Sequence, residues 1–208
     1  SAKRLHRDMG NNQSIRGGRV LLKPLEYEDA LKIRFWGIHE NKLLEDYNLG
    51  DLSKNELQYW YNIKKKNFRR AYYAIYNEEK KMIGYLGIKD INLFKKESYL
   101  GIVLDPNYTD RGYGTESIKL LLNHYFYKMK MRKILLEVNE FNSRAIHAYE
   151  NIGFLYICEY LGEFENQEID FKDPYYEPFF KHFKYHKGKL LTRIYLMEMD
   201  ARRFEMRN

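Results

Sequence analysis

The residues whose types and spacing best suit chemistry are Arg111-Gly112-Tyr113-Gly114-Thr115-Glu116. They lie between an apolar run at 99–104 and an amphipathic segment that starts at Thr115. Read as strand, glycine loop and helix, the stretch builds an anion site. The glycines let backbone N–H groups converge, and the helix N-terminus adds unpaired donors and the positive end of its dipole. Arg111 supplies a cation in the same loop. This suits a phosphate or pyrophosphate, and so a nucleotide-bearing cofactor. The plainer alternative is a tight turn that needs φ > 0 twice.

Other candidates carry less. The basic run 64–70 could reach a cofactor phosphate or ribosomal RNA, but it reads more simply as the wet face and end of a helix, where cations suit the dipole. His182 and His186 stand four apart, with no third ligand, so no metal site is expected. His147 could be catalytic, but two residues before Tyr149 on a short helix it is aimed elsewhere. Cys158 reads as a buried strand residue.

Several elements must position the loop. A first strand is expected at 19–25 and a helix over 27–39, with Ala30, Ile33, Phe35, Trp36 and Ile38 available for burial. Ser53-Lys54-Asn55-Glu56 is a capping box that opens a helix running to about residue 67. Strands at 71–76 and 81–91 flank the turn at 77–80, and 99–104 is the strand before the loop. Ile118, Leu121, Leu122, Tyr125 and Met129 repeat at helical spacing. A strand follows at 133–138, then a short helix at 143–151 with Asn142 as N-cap and Gly153 beyond its end. Closing strands are expected at 154–161 and 190–199. Strands joined through helices require a parallel pair with a right-handed crossover. The expected fold class is therefore a single-domain α/β protein whose mixed, mostly antiparallel sheet is flanked by helices.

The chain has 208 residues, 44% of them hydrophobic, with 20 Tyr and 12 Phe. Its formal net charge is +7, a modest excess that favours anionic ligands. One cysteine excludes an internal disulfide and fits a reducing compartment, so a cytoplasmic location is expected. No apolar run approaches the ~20 residues of a membrane span. Residues 1–8 read as an expression scar ahead of a start at Met9, and 200–208 as a C-terminal tail.

A second motif, Asn142-Ser143-Arg144-Ala145-Ile146-His147-Ala148-Tyr149, follows the strand 134–138. Together the two motifs resemble the GNAT superfamily of N-acetyltransferases, over about 19–199. Within it the chain resembles the branch of ribosomal-protein N-terminal and spermidine N-acetyltransferases. The resemblance implies acetyl-CoA as cosubstrate and transfer to an amine. It implies that Arg111, Gly112, Tyr113, Gly114 and Thr115 hold the pyrophosphate, and that Ile102, Val103 and Leu104 pair with the pantetheine arm. It further implies that Asn142 touches the cofactor and that Tyr149 protonates the leaving thiolate. The expected acceptor is a small cationic amine such as a polyamine; a protein N-terminus and a non-catalytic acyl-CoA-binding module are the alternatives. Nucleic acid has only charge in its favour, no membrane is implied, and a homo-oligomer is compatible.

The chain departs from the family pattern in three places. Thr109 stands where a Gln or Arg usually begins the loop. Tyr99 stands where many relatives carry a glutamate base, which leaves Glu97, Glu137 or a water relay. Between the closing strands lies an insertion at about 163–189. Residues 159–177 hold seven acidic side chains and, as cation, only Lys172, among aromatic residues. They read as a solvated loop, a subunit contact or a wall that attracts cationic amines.

Overall fold

The computed structural model describes residues 13–66 and 68–208. The expected scar at 1–8 and start at Met9, and the expected helix end at residue 67, lie outside these. In chain order the elements are β1 (Ile15–Arg16), β2 (Leu21–Pro24), α1 (Tyr27–Lys32), α2 (Lys54–Lys65), β3 (Ala71–Tyr76), β4 (Met82–Asn92), β5 (Glu97–Leu104), α3 (Tyr113–Asn123), β6 (Lys133–Asn139), α4 (Ser143–Ile152), β7 (Leu155–Glu163), β8 (Phe183–His186), β9 (Lys189–Asp200) and α5 (Ala201–Arg207). The strands form one sheet in the order β1-β2-β3-β4-β5-β6-β9-β7, with β8 also on β9. Only β5 and β6 pair in parallel. The mixed, mostly antiparallel α/β architecture is the one expected.

Three apolar clusters fill it. The α3 stripe packs Ile118, Leu121, Leu122, Tyr125 and Met129 against Leu86, Ile88, Ile134, Leu136 and Met197. The α5 helix adds Phe204 to this cluster, 5.3 Å from the Phe126 ring, so the C-terminal residues are part of the fold. On the other side of the sheet, Tyr72, Ala74 and Tyr85 meet Leu25, Ile33, Trp36 and Trp60. The insertion makes the third cluster: its Phe164, Ile169 and Tyr176 close on Leu43, Phe141 and Leu190. It is a folded annex rather than a solvated loop, because its aromatic residues outnumber what a wet loop can leave in water.

Local structure follows the expected signals in places. Ser53 Oγ accepts from Glu56 N at 3.2 Å, and the Glu56 carboxylate accepts from Ser53 N at 2.6 Å. Such a cap contributes about 1 kcal/mol. The helix expected at 27–39 ends early. It tightens to a 3₁₀ turn at Ile33–Phe35, and Trp36 is extended. Trp36 Nε1 donates to Met82 O at 3.1 Å, and Gly37 N donates to the buried Asp105 carboxylate at 3.0 Å. These long-range bonds outweigh one more helical turn, and Phe35 and Ile38 are consequently exposed. Cys158 is also exposed, contrary to expectation. It lies on β7, the last strand of the sheet order, beside a bulge at Tyr156/Cys158.

Candidate active site

The β5–β6 pairing covers only Glu97↔Lys133, Ser98↔Ile134 and Tyr99↔Leu135. Beyond it the strands splay: β5 stays on β4 through Leu104, while β6 stays on β9 through Asn139. The β6-facing backbone of residues 100–104 has no strand partner among the described residues. That segment includes Ile102, Val103 and Leu104. Ile102 and Leu104 pack towards α3, whereas Val103 packs towards Tyr85 and Trp60. A Cβ built on Gly101 would meet nothing within 4 Å, so the floor of the splay is open there.

The glycine loop lies at the C-terminal end of β5. Its two left-handed residues are Asp110 (φ 61°) and Gly112 (φ 81°). Gly114 serves another purpose: a Cβ there would stand 3.1 Å from Leu104 Cδ1, so its lack of a side chain lets α3 settle on β5. Gly112 is the N-cap of α3 and no side chain caps the helix. The first-turn N–H groups of Tyr113, Gly114 and Thr115 therefore keep their donors for something else. Arg111 stands 5.3 Å over Tyr108, and Arg144 pairs with Asp110 at 2.9 Å. Arg19, which sequence reading passed over, braces the loop. Its backbone N donates to the Glu116 carboxylate at 2.6 Å and Nε does so at 2.9 Å. Its Nη1 donates to Arg111 O at 3.1 Å. Tyr113 points inward, with its hydroxyl donating to Glu78 at 2.9 Å, so only its backbone is offered to an anion. Converging amides, a helix N-terminus and a framing pair of arginines fit a diphosphate. Thr109 turns inward as well: Oγ1 donates to Pro106 O at 2.9 Å.

Asn142 caps α4, its Oδ1 accepting from Ala145 N at 3.3 Å, which leaves the amide NH₂ as a donor. Tyr149 lies on the same helix, with its ring 6.0 Å from Phe154. Burial, with a smaller contribution from Tyr47, pushes its phenol up to about 12. The hydroxyl makes no hydrogen bond among the described residues. Tyr47 acts on both Tyr149 and Tyr85, so the half-buried phenol and the rings on the far side of the splay feel one common neighbour.

That far side holds what sequence reading did not assemble. Glu137 accepts from the Tyr160 hydroxyl at 2.5 Å. Burial, then Glu137, raises the Tyr99 phenol. From the insertion, Glu165 comes beside Asp46; burial and that second carboxylate raise it. Burial, then Glu165 and Asp46, raises Tyr47. Three other insertion carboxylates are used elsewhere. Asp173 pairs with Lys42 at 3.1 Å, Glu163 with Lys189 at 2.8 Å, and Asp170 accepts from Lys172 N at 2.9 Å. Glu97 is bound by Arg132 at the closed end of the splay, away from the open floor at Gly101. His182 bonds Glu140 at 2.6 Å and ends a 3₁₀ turn, while His186 ends β8, so the two share no helix face. No group of three His, Cys, Asp or Glu suited to a metal occurs among the described residues. Nor does any helix there have the length and apolarity to cross a membrane.

A parallel pair that splays beside a glycine loop at a helix N-terminus defines a fold that holds a phosphate-bearing cofactor along an open strand edge. The acetyltransferase (GNAT) domain model matches residues 19–155, and the chain belongs to that family. It is an N-acetyltransferase that uses acetyl-CoA. Among curated relatives, spermidine N(1)-acetyltransferase of Escherichia coli (strain K12) is 28% identical over 155 residues, 70% of this chain and 77% of the relative. The Vibrio cholerae serotype O1 spermidine N(1)-acetyltransferase is 26% identical over 103 residues, 50% of this chain and 60% of the relative. The crystal structure of spermidine N-acetyltransferase from Vibrio cholerae in complex with CoA and spermine is 20% identical, with a TM-score of 0.66 over 91% of this chain and 99% of that one. At that identity the likeness is one of fold.

Proposed function

We propose that the chain acetylates a primary amine of a small polycation of the spermidine type, as one acetyltransferase unit over 19–199 working in the cytoplasm. One observation carries the acceptor class. Carboxylates from three separate segments, Asp46, Glu137 and Glu165, stand among the rings of Tyr47, Tyr99 and Tyr160 on one side of the splay. Carboxylates among aromatic faces hold ammonium groups. The names of the curated relatives support the same class.

In this reading the amides of Arg111 to Thr115 hold the cofactor diphosphate, with Arg111 adding charge. The free edge of Ile102, Val103 and Leu104 aligns the pantetheine arm, and the Asn142 amide donates to it. Acetyl-CoA supplies the thioester, whose cleavage drives transfer. Glu137, hydrogen-bonded by Tyr160, orients the amine and accepts its proton directly or through water. Tyr149 keeps its proton throughout the physiological range. A phenol near 12 facing a thiolate near 8–9 gives a transfer that is uphill by roughly 3–4 pK units, about 4–5 kcal/mol. The phenol therefore acts chiefly as a hydrogen-bond donor to the sulfur as charge develops.

Acetyl-CoA turnover across polyamines, aminoglycosides, amino acids and N-terminal peptides tests the acceptor class. Spermidine-type amines should give the highest kcat/KM. A preference for N-terminal peptides would refute the assignment.

A further inference from the structure

Lys64 is out of place in a pocket for cations. The basic run 64–70 reads as solvated, yet Lys64 Nζ stands 4.7 Å from the Tyr72 centroid, 5.4 Å from that of Tyr85 and 5.5 Å from that of Trp60. The rings support one another: Trp60 meets Tyr85 edge-on at 5.0 Å, and Tyr72 lies 6.4 Å from Tyr85. Tyr85 pairs in register with Val103 on β5, and Val103 packs on this same cluster. The cage therefore shares the acceptor face of the splay. Three aromatic faces turned to one point form an ammonium receptor. Here the receptor holds the protein's own ammonium, which has no salt bridge among the described residues.

The charges around Lys64 come from three other elements. Burial, then Lys89 of β4 and Arg70 before β3, depress its ammonium to about 8, and Glu165 of the insertion opposes them. Burial, then Tyr47, Tyr72 and Glu165, raises the Tyr85 phenol, and burial raises Tyr72, so neither ring carries charge near neutral pH.

We propose that the Trp60–Tyr72–Tyr85 cage is a second ammonium subsite of the acceptor cleft, and that Lys64 is a specificity-determining residue which fills it until the distal ammonium of a polyamine takes its place. This rests on the polyamine reading above. A charged Lys64 competes for the rings and repels the incoming cation. As pH rises through about 8, Lys64 loses its proton while alkyl ammonium groups near 10 keep theirs, so acceptor binding tightens.

The test compares wild type with Lys64→Met, which keeps an unbranched apolar stem without the charge, and with Lys64→Arg. Steady-state spermidine KM at pH 7 should fall roughly 3- to 30-fold in Lys64→Met, the range of a cation–π contact. That gap should narrow by pH 9, as wild type loses its own charge. Lys64→Arg stays charged and should keep a KM at or above the wild-type pH 7 value at both pH values. A second arm does not depend on which amine is acetylated. The chain has two tryptophans, so Trp36→Phe leaves Trp60 as the sole reporter. On that background at pH 7, tetramethylammonium should quench Trp60 fluorescence in Lys64→Met and not in wild-type Lys64. Lys64→Gln carries the same expectations should the methionine variant fold poorly. An unchanged or raised spermidine KM in the uncharged variants overturns the proposal, as does the absence of quenching. If spermidine is not acetylated at all, the acceptor reading fails by itself and the quenching arm alone decides the cage.

Discussion

The loop from Asp105 to Thr115 places its anion-binding groups through one continuous stretch of chain. The carboxylates and rings across β5 come instead from residues 46–47, 60, 72, 85, 99, 137, 160 and 165. The first region works through backbone: left-handed residues at Asp110 and Gly112, an uncapped helix, and a strand edge without a partner. The second works through side chains that only the finished sheet and the folded insertion bring together. Backbone geometry written in adjacent residues tolerates little change. An assembly of separate side chains can be retuned one residue at a time, so the acceptor side is where relatives of one fold can diverge.

Substitutions in the two regions should therefore behave differently. The largest effect is expected at the loop. Gly112→Asp forces an L-residue into φ 81°, sets its Cβ 3.0 Å from the Arg19 guanidinium and adds a negative charge where the diphosphate would lie. CoA at 100 times its Kd should raise the wild-type Tm by roughly 5–10 °C. Gly112→Asp should show no rise. A preserved shift would detach the loop from cofactor binding.

Tyr149→Phe comes next. Turnover should fall about 10²- to 10³-fold, the scale of losing one preorganised donor to a developing charge, with the CoA thermal shift intact. Near-wild-type turnover, with chemistry rate-limiting, would remove Tyr149 from the reaction.

These two positions could be read before any coordinates, because each sits in a local motif: glycines between a strand and a helix, and Asn142 seven residues before Tyr149. The α3 stripe was legible for the same reason, its period being that of one helix. Lys64 was not. A basic helix end looks solvated until Tyr72 of β3 and Tyr85 of β4 fold over it. The early stop of α1 was hidden likewise, since its cause is Met82 O and Asp105, distant in sequence. Cys158 looked buried because an alternating strand pattern does not say which strand will lie at the edge. The insertion's charge was visible, but not that Glu165 alone among its acids would come beside Asp46 while others find partners of their own.

A third substitution tests whether the insertion is part of the acceptor side. Phe164 is 5% exposed and joins the Leu43–Phe141 cluster next to Glu165. Phe164→Ala should cost about 3–4 kcal/mol of stability, read as a fall in Tm. It should raise the acceptor KM while the CoA thermal shift persists. Loss of stability with acceptor kinetics untouched would make the insertion a purely structural annex. The smallest effect is expected at Thr109, whose hydroxyl serves only its own loop. Thr109→Ala should leave the acetyl-CoA KM within about threefold, the scale of one net hydrogen bond. A larger rise would give that side chain a direct part in holding the cofactor.

The division of labour is tested most directly by measuring both KM values against ionic strength in the double variant Glu137→Gln/Glu165→Gln. Captured by exposed carboxylates, a cationic acceptor should bind more weakly as salt rises. In the variant the spermidine KM should be raised about tenfold at low salt and its salt dependence should flatten, while the acetyl-CoA KM keeps its wild-type value and slope. If the two KM values move together, or if the spermidine KM and its slope match wild type in a folded variant, the acceptor side has been placed wrongly.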